Sequence, residues 1–89
     1  MKYYVSADVH RDATPQEIAG IGVPNACIHL YRVKTVVEAE NVQDAIAKGT
    51  ETINASLDTG CKATRFGAMP VDDARKLGDE ESYARMRTV

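Results

Sequence analysis

The sequence predicts an α+β domain: a three- or four-stranded, mainly antiparallel sheet with one main amphipathic helix packed on one face and short connecting helices. Three observations lead to this fold class. Two segments, 2–9 and 26–39, are rich in β-branched and aromatic residues and predict strands. Apolar residues recur every three or four positions between 42 and 57, which predicts the helix. The chain of 89 residues fits one domain, residues 1–89, so these elements should share a single core.

The first strand is predicted from the alternation of apolar and polar residues between Lys2 and Val9, which is typical of a half-buried strand. A short helix should begin at Pro15, because proline suits the first helical position and Thr14 can cap the helix. Glu17 stands three residues after Thr14 and completes a capping box. Glycines and a further proline follow closely and end this helix.

The second strand, Ala26–Ala39, changes its apolar face partway along. Ile28 and Leu30 occupy even positions, whereas Tyr31 and Val33 occupy odd ones. Side chains of a regular strand alternate between its two faces, so these four residues share a face only if the strand is irregular. We therefore predict a β-bulge or sharp twist near Tyr31.

The main helix, Val42–Leu57, has the strongest sequence support of any element. Asn41 is a good cap, and Asp44 places negative charge in the first turn, where the helix dipole favours it. Gly49 lies on the apolar stripe, where it lowers helix propensity but allows the helix to approach the sheet closely. Gly60 can adopt the left-handed conformation that ends the helix.

A third strand is predicted over Cys61–Met69. Regular alternation would place Cys61, Ala63, Arg65, Gly67 and Met69 on one face and Lys62, Thr64, Phe66 and Ala68 on the other. Val71–Leu77, with a glycine behind it, predicts a short helix. For residues 79–89 a loosely attached tail, a helical turn and an edge strand are all open, and the strand is favoured.

Composition and charge exclude several classes of protein. The net charge is -2 and the basic residues are spread without a dense run, which argues against direct binding to nucleic acid. No segment resembles a signal peptide or has the length of a membrane span, so we expect no contact with a membrane. The two cysteines are then expected to be free thiols in a reducing cytoplasm. We therefore predict a cytoplasmic protein.

Ser6, Asp8 and His10 suggest a catalytic triad by residue type, but not by spacing. Residues two apart on a strand lie about 7 Å from each other, beyond the hydrogen-bond distance that a nucleophile and its base require. We interpret the three residues as a solvent-facing polar edge. No catalytic residue is assigned, and the protein is expected not to be an enzyme.

A zinc site is the other chemical possibility that the sequence raises. Cys27 and His29 share a face, and Cys61 and His10 could complete four ligands if the strands pair suitably. Their spacing differs from the compact paired-ligand loops of structural zinc sites, and cysteines in strands are commonly small buried hydrophobes. We therefore expect neither a metal nor another cofactor.

Two groups of residues are candidates for contact with a protein partner. Tyrosine is enriched at protein contact surfaces, and a late acidic cluster could meet a basic partner, although interleaved basic residues also fit an ordinary solvated surface. The candidate partner-binding residues are Tyr3, Tyr4, Tyr31, Asp72, Asp73, Asp79, Glu80 and Glu81.

The segment Val37–Asn41, followed by Asp44–Ile46, resembles a strand-to-helix junction of small phage and mobile-element accessory proteins, some of which inhibit host defences such as CRISPR complexes. This resemblance implies stoichiometric binding to a host protein or complex, with occlusion of its surface and no catalysis. The sequence also resembles the small flavin-storing dodecins, but it has no Trp to stack on a flavin. The alternative function is a small homo-oligomeric domain that binds a metabolite or metal at subunit interfaces.

Overall fold

A computed structural model describes all 89 residues and has the predicted α+β fold, with a mixed, mostly antiparallel sheet. The elements in chain order are β1 (Lys2–Asp12), α1 (Pro15–Ile21), β2 (Cys27–Glu38), α2 (Val42–Ser56), β3 (Cys61–Pro70), α3 (Val71–Leu77), α4 (Glu80–Ala84) and β4 (Arg87–Thr88). The strand order is β3-β1-β2-β4, so β1 is a central strand. It pairs antiparallel with β2 and β3, whereas β4 runs parallel to β2.

The core lies between α2 and one face of the sheet, as predicted. Its buried residues are Tyr3, Val5, Ala7 and Val9 of β1, Val33 of β2, Ala39, and Ala45 and Ile53 of α2. The helix approaches the sheet closely at Gly49, where a Cβ atom added to the glycine would lie within 2.6 Å of Val5 Cβ, Cγ1 and Cγ2. Gly49 therefore sets the distance between helix and sheet. Val42, at the start of the apolar stripe, is instead exposed.

The predicted bulge in β2 is confirmed and falls at Leu30. Tyr31 pairs with Val9, and His29 pairs with the next β1 residue, His10, so Leu30 has no partner on β1. The extra residue brings Ile28 back to the face that carries Tyr31. Leu30 itself is left 40% exposed.

The regular alternation predicted for β3 is wrong, because this strand also contains a bulge. Opposite the single residue Ala7 of β1, β3 has two residues, Arg65 and Phe66. Arg65 adopts a left-handed conformation with φ 57. The extra residue turns Phe66 and Ala68 onto the core side, where both pack against the buried cluster together with Ala63.

The start of α1 is confirmed and is also tied to β1. Thr14 Oγ1 accepts a hydrogen bond from Glu17 N at 3.2 Å, and Glu17 Oε1 accepts one from Thr14 N at 3.0 Å. Arg11 donates to both carboxylate oxygens of Glu17, at 2.7 and 3.1 Å. The hydrogen bond from Arg11, followed by the one from Thr14, lowers the pKa of Glu17 from 4.5 to about 2.

The other predicted helix boundaries agree closely with the structure. Asn41 Oδ1 caps α2 by accepting from Asp44 N at 2.8 Å. α3 has the predicted bounds and ends at Gly78, which is left-handed. The segment 79–89 forms the helical turn α4 and then the short edge strand β4. No helix of the protein has the length and apolar character needed to cross a membrane.

Gly49→Ala should destabilise the protein. The added methyl group would collide with Val5, and overpacking of a core typically costs about 1–3 kcal/mol. This exceeds the gain of roughly 1 kcal/mol in helix propensity. The free energy of unfolding, measured by urea denaturation, should fall for Gly49→Ala. It should stay constant or rise slightly for the control Gly20→Ala, where nothing lies within 4 Å of the new carbon. A Gly49→Ala protein as stable as the wild type would contradict the packing described.

The Glu17 carboxyl group should titrate with a midpoint near 2 in an NMR titration of the folded protein. Because the pKa is lowered on folding, the carboxylate supports α1 fully above its ordinary value of 4.5 and loses this effect as the pH falls through about 2. Arg11→Met should raise the midpoint, since the strongest hydrogen bond is lost while the two Thr14 bonds remain. A wild-type midpoint near 4.5 would show that the Arg11–Glu17 pair does not form.

Candidate functional site

The face of the sheet opposite α2 is only partly covered. At one end, the ring of Tyr83 in α4 stacks on Tyr4, with centroids 4.4 Å apart and an interplanar angle of 12°. Lys34 Nζ donates to the main-chain oxygen of Tyr83 at 2.6 Å, which fixes α4 against β2. Burial raises the pKa of the Tyr83 hydroxyl, and the nearby Asp79 carboxylate adds to this effect. Polar side chains occupy the rest of this face.

Asp8 is the centre of the first polar group on this face. Its side chain is 18% exposed and accepts a hydrogen bond from Arg32 Nε at 3.1 Å. His29 Nε2 lies 3.7 Å from the same carboxylate oxygen, and Arg65 Nη1 lies 3.9 Å from the other. One carboxylate thus faces two guanidinium groups and an imidazole, so the group as a whole is positively charged.

Strand register explains why these side chains meet. Asp8 and Arg32 are directly paired across β1 and β2, and His10 and His29 are the next pair on the same face. The bulge at Leu30 is needed for the second pair, because without it His29 would point to the opposite face. The polar group is therefore a consequence of the same irregularity that completes the core.

A shallow cavity of about 390 Å³ adjoins Asp8. It is lined by Asp8, His10, Cys27, His29, Thr64 and Arg65. His10 Nδ1 is buried and has no hydrogen-bond partner in the protein. Buried polar atoms in proteins usually have a partner, so a bound water or ligand would satisfy this nitrogen.

A second cavity, of about 490 Å³, lies at the outer edge of β2, and we refer to it as the arginine pocket. It is lined by Tyr31, Arg32, Ser82, Arg85, Met86 and Arg87. The guanidinium carbon of Arg87 lies 3.8 Å from the centroid of the Tyr31 ring, in a cation–π contact. Met86 is buried and holds the end of the chain against the sheet. Three arginines thus line one pocket at the edge of the sheet, with Arg32 on the face opposite α2 and Arg87, over Tyr31, on the α2 side.

No carboxylate lines the arginine pocket. Arg32 is paired with Asp8, and Arg85 Nη2 with Glu81 Oε1 at 2.7 Å, and both of these carboxylates lie outside the lining. Arg87 forms no ion pair within 4.0 Å. The pocket is therefore suited to a negatively charged group.

The tyrosines predicted to contact a partner lie in three different environments. Tyr3 is 6% exposed and belongs to the core, so its assignment to a contact surface is wrong. Its side chain points to the α2 side of the sheet because it alternates with Tyr4. Tyr4 is covered by Tyr83, and Tyr31 lines the arginine pocket beneath Arg87. Of the predicted tyrosines, only Tyr31 belongs to a cavity.

The predicted acidic contact residues lie on or beside α3 and α4. Asp72 and Asp73 are exposed in the first turn of α3. Asp79 is half-buried at the start of α4. Glu80 and Glu81 are exposed but paired with neighbouring arginines, at 2.9 and 2.7 Å. The structure therefore does not gather these five carboxylates into one pocket.

The interpretation of Ser6, Asp8 and His10 as a solvent-facing edge needs correction. They share a face as predicted, but β1 is central in the sheet, and Ser6 is only 7% exposed.

The zinc ligands suggested by the sequence lie on two different sides of the sheet. Cys61 packs against the core, on the side of the sheet opposite to His29 and His10. No three His, Cys, Asp or Glu side chains come together in a geometry that could hold a metal ion.

The arginines around the two cavities are the residues that sequence reasoning missed. They are Arg32, Arg65, Arg85 and Arg87, and they are dispersed along the chain. Folding brings Arg32 and Arg65 to Asp8, and it places Arg85 and Arg87 near Arg32 at the outer edge of β2. One signal was available in the sequence. Arg32 directly follows Tyr31 in β2, so strand alternation places its side chain on the other face of the sheet from Tyr31.

Comparisons with protein-family models, curated proteins and solved structures give no match to this chain.

Tyr83→Ala should loosen the wall of the arginine pocket. Loss of the Tyr4 stack and its buried area should lower the free energy of unfolding by about 1–3 kcal/mol. Amide exchange should accelerate at Val89, whose N–H donates to Lys34 O at 2.9 Å across the edge of the sheet. The control Ser82→Ala changes an exposed neighbour on the same helix and should alter neither quantity. Unchanged exchange in Tyr83→Ala would show that the stack does not hold this segment.

Proposed function

We propose that the protein is a small non-enzymatic binding protein that attaches stoichiometrically to an acidic surface of a larger protein and occludes that surface. The observation that carries this proposal is the arginine pocket: three arginines and no acidic residue line one cavity at the edge of the sheet, in a chain whose net charge is -2. A charge distribution of this kind favours a specific acidic partner over general attraction to anions.

The composition of the pocket matches that of strong protein contacts. Arginine and tyrosine are enriched among the residues that contribute most to protein binding, and the Arg87–Tyr31 contact supplies one of each. Guanidinium groups recognise carboxylates through paired hydrogen bonds, which add orientation to charge attraction. The adjacent Asp8 group extends the positive surface toward Arg65.

The geometry of β1 supports a non-catalytic role. Ser6 is buried, and Asp8 is engaged with Arg32, so neither side chain is arranged as a nucleophile and its base. The acidic residues of α3 and α4 are the alternative contact surface, which would meet a basic partner.

The resemblance to phage accessory proteins extends the proposal to a particular target. It suggests that the partner is a host protein or complex, such as a defence complex in the cytoplasm. This identification rests on the resemblance alone, whereas the acidic character of the partner's surface rests on the pocket.

The proposed contact surface can be tested by charge reversal. Tagged full-length protein should retain one partner from host lysate at a 1:1 ratio, with weaker retention at high salt. Arg85→Glu with Arg87→Glu should lower the affinity for that partner by about tenfold or more, since each 1.4 kcal/mol lost is tenfold. Lys2→Glu with Lys76→Glu is the matched control, because both lysines are exposed, outside the arginine pocket, and the change in charge is the same.

Two further results would decide between surfaces. If Asp72→Lys with Asp73→Lys abolishes retention while the arginine variant does not, the acidic surface is the contact and the proposed pocket is not. If no host yields a stoichiometric partner, the binding function itself is contradicted.

A homo-oligomer with a ligand at subunit interfaces is the second candidate, and the shape of the chain favours it. The protein exposes 5846 Å², whereas a compact monomer of this mass exposes about 5100 Å². Its radius of gyration is 15.0 Å, against about 12 Å for a compact chain of this length. Native mass spectrometry would support this candidate if it showed a closed oligomer with retained ligand. A bare monomer would contradict it.

A further inference from the structure

We infer that the cavity beside Asp8 binds a small organic molecule through a single carboxylate group. This cavity, the Asp8 cavity, is lined by Asp8, His10, Cys27, His29, Thr64 and Arg65. The inference goes beyond the proposed function, because the Asp8 cavity shares no lining residue with the arginine pocket. Three observations support it: two bulges shape the cavity, its donors are free, and its charges fit one monovalent anion.

The side chains of the Asp8 cavity lie together on the face of the sheet opposite α2. His29 is paired with His10 across β2 and β1, and Cys27 precedes His29 by two positions, so these three residues share a face. Thr64 of β3 is paired with Asp8 on the same face. A ligand in the cavity can therefore contact all three strands from one side.

A β-bulge on each side of β1 shapes the cavity. The bulge at Leu30 turns His29 toward it, and the bulge in β3 gives Arg65 a φ of 57. A left-handed backbone is unfavourable for a bulky residue such as arginine, and strained conformations are concentrated at binding sites. Arg65 Nη1 lies 3.9 Å from Asp8 Oδ2, on the wall of the cavity. The fold thus carries backbone strain at the one arginine that lines the cavity.

The donors of the cavity make no side-chain hydrogen bond within the protein. Arg65 is beyond hydrogen-bond distance of Asp8, so its five N–H groups are free, and Thr64 and His29 also have no partner. His10 Nδ1 is buried without a partner, which is uncommon for a buried polar atom. A ligand can therefore accept hydrogen bonds here without breaking an existing one.

The charges around the cavity favour a ligand with one negative charge. Arg32 donates to Asp8 and offsets its charge, which leaves Arg65 as the surplus cation. A carboxylate matches one guanidinium group through two parallel hydrogen bonds. The second charge of a phosphate monoester would face Asp8, with no further arginine or lysine in the lining. A cationic ligand would be repelled by Arg65 and Arg32.

The cavity has room for more than the carboxylate group. Its volume of about 390 Å³ lies within the range of about 300–1000 Å³ that is usual for ligand sites. The rings of His10 and His29 and the side chain of Cys27 supply surface for the organic part of the ligand. A small organic acid therefore fits the site in size as well as in charge.

Binding of three matched probes to the full-length protein tests this inference. Benzoate and benzamidine have nearly the same shape and opposite charges, and phenyl phosphate carries a second negative charge. In NMR titrations, benzoate should shift the amide signals of residues 8–10, 27–29 and 64–65 until they saturate, and benzamidine should not shift them. Phenyl phosphate should bind no more tightly than benzoate, because its second charge faces Asp8.

Variants of Arg65 test the guanidinium group directly. Asparagine adopts the left-handed conformation more readily than arginine, so Arg65→Asn should be at least as stable as the wild type in urea. It should bind benzoate about tenfold more weakly, which separates loss of binding from loss of folding. Arg65→Lys keeps the charge without the paired donors and should weaken binding severalfold. The control Arg75→Gln, outside the cavity, should leave benzoate binding unchanged.

Several outcomes would overturn the inference. They are equal shifts with benzamidine, tighter binding of phenyl phosphate, and unchanged benzoate affinity in Arg65→Asn. If Arg87→Gln weakens benzoate binding and Arg65→Asn does not, the probe occupies the arginine pocket, and the assignment to the Asp8 cavity is wrong. None of these results decides the proposed function, which depends on retention of a partner and on charge reversal at Arg85 and Arg87.

Discussion

Side chains on a strand alternate between two faces, and both the core and the candidate site depend on where this alternation is broken. β1 is regular and supplies residues to the core from one face and Asp8 and His10 from the other. Its two neighbours each contain one extra residue, at Leu30 and at Arg65. The bulges allow β2 and β3 to direct apolar residues to α2 along most of their length, and they leave the charged residues on the other face.

The elements that depend on local chemistry were predictable from the sequence. The caps at Thr14 and Asn41, the close approach at Gly49 and the left-handed end of α3 at Gly78 all follow from the identity of a residue and a few neighbours. The bulge in β2 was also predictable, because the apolar residues on either side of Leu30 changed parity. β3 gave no such signal, since small and polar residues occupy both of its faces and an exposed arginine rarely adopts the left-handed conformation.

The arginine pocket could not be predicted because it depends on long-range placement. Tyr31 and Arg32 lie on β2, and the remaining lining residues lie more than 45 positions later in the chain. The later segment is held against the sheet because Tyr83 stacks on Tyr4 and because Lys34 donates a hydrogen bond to the main-chain oxygen of Tyr83. Both interactions are specific to the folded chain, and neither produces a periodic pattern. Tyr3 illustrates the opposite case: residue type suggested a contact surface, but its strand position placed it in the core.

The bulge at Arg65 also affects how the sheet can meet other chains. β3 is an outer strand, and one of its edges has no neighbour in the fold. Unprotected edges of this kind can pair with identical edges and start fibre growth. Here the left-handed residue interrupts the run of main-chain donors and acceptors near its middle, and Pro70 removes a donor at its end. Two copies of the protein therefore cannot form a continuous ladder of main-chain hydrogen bonds along β3, which disfavours aggregation through this edge.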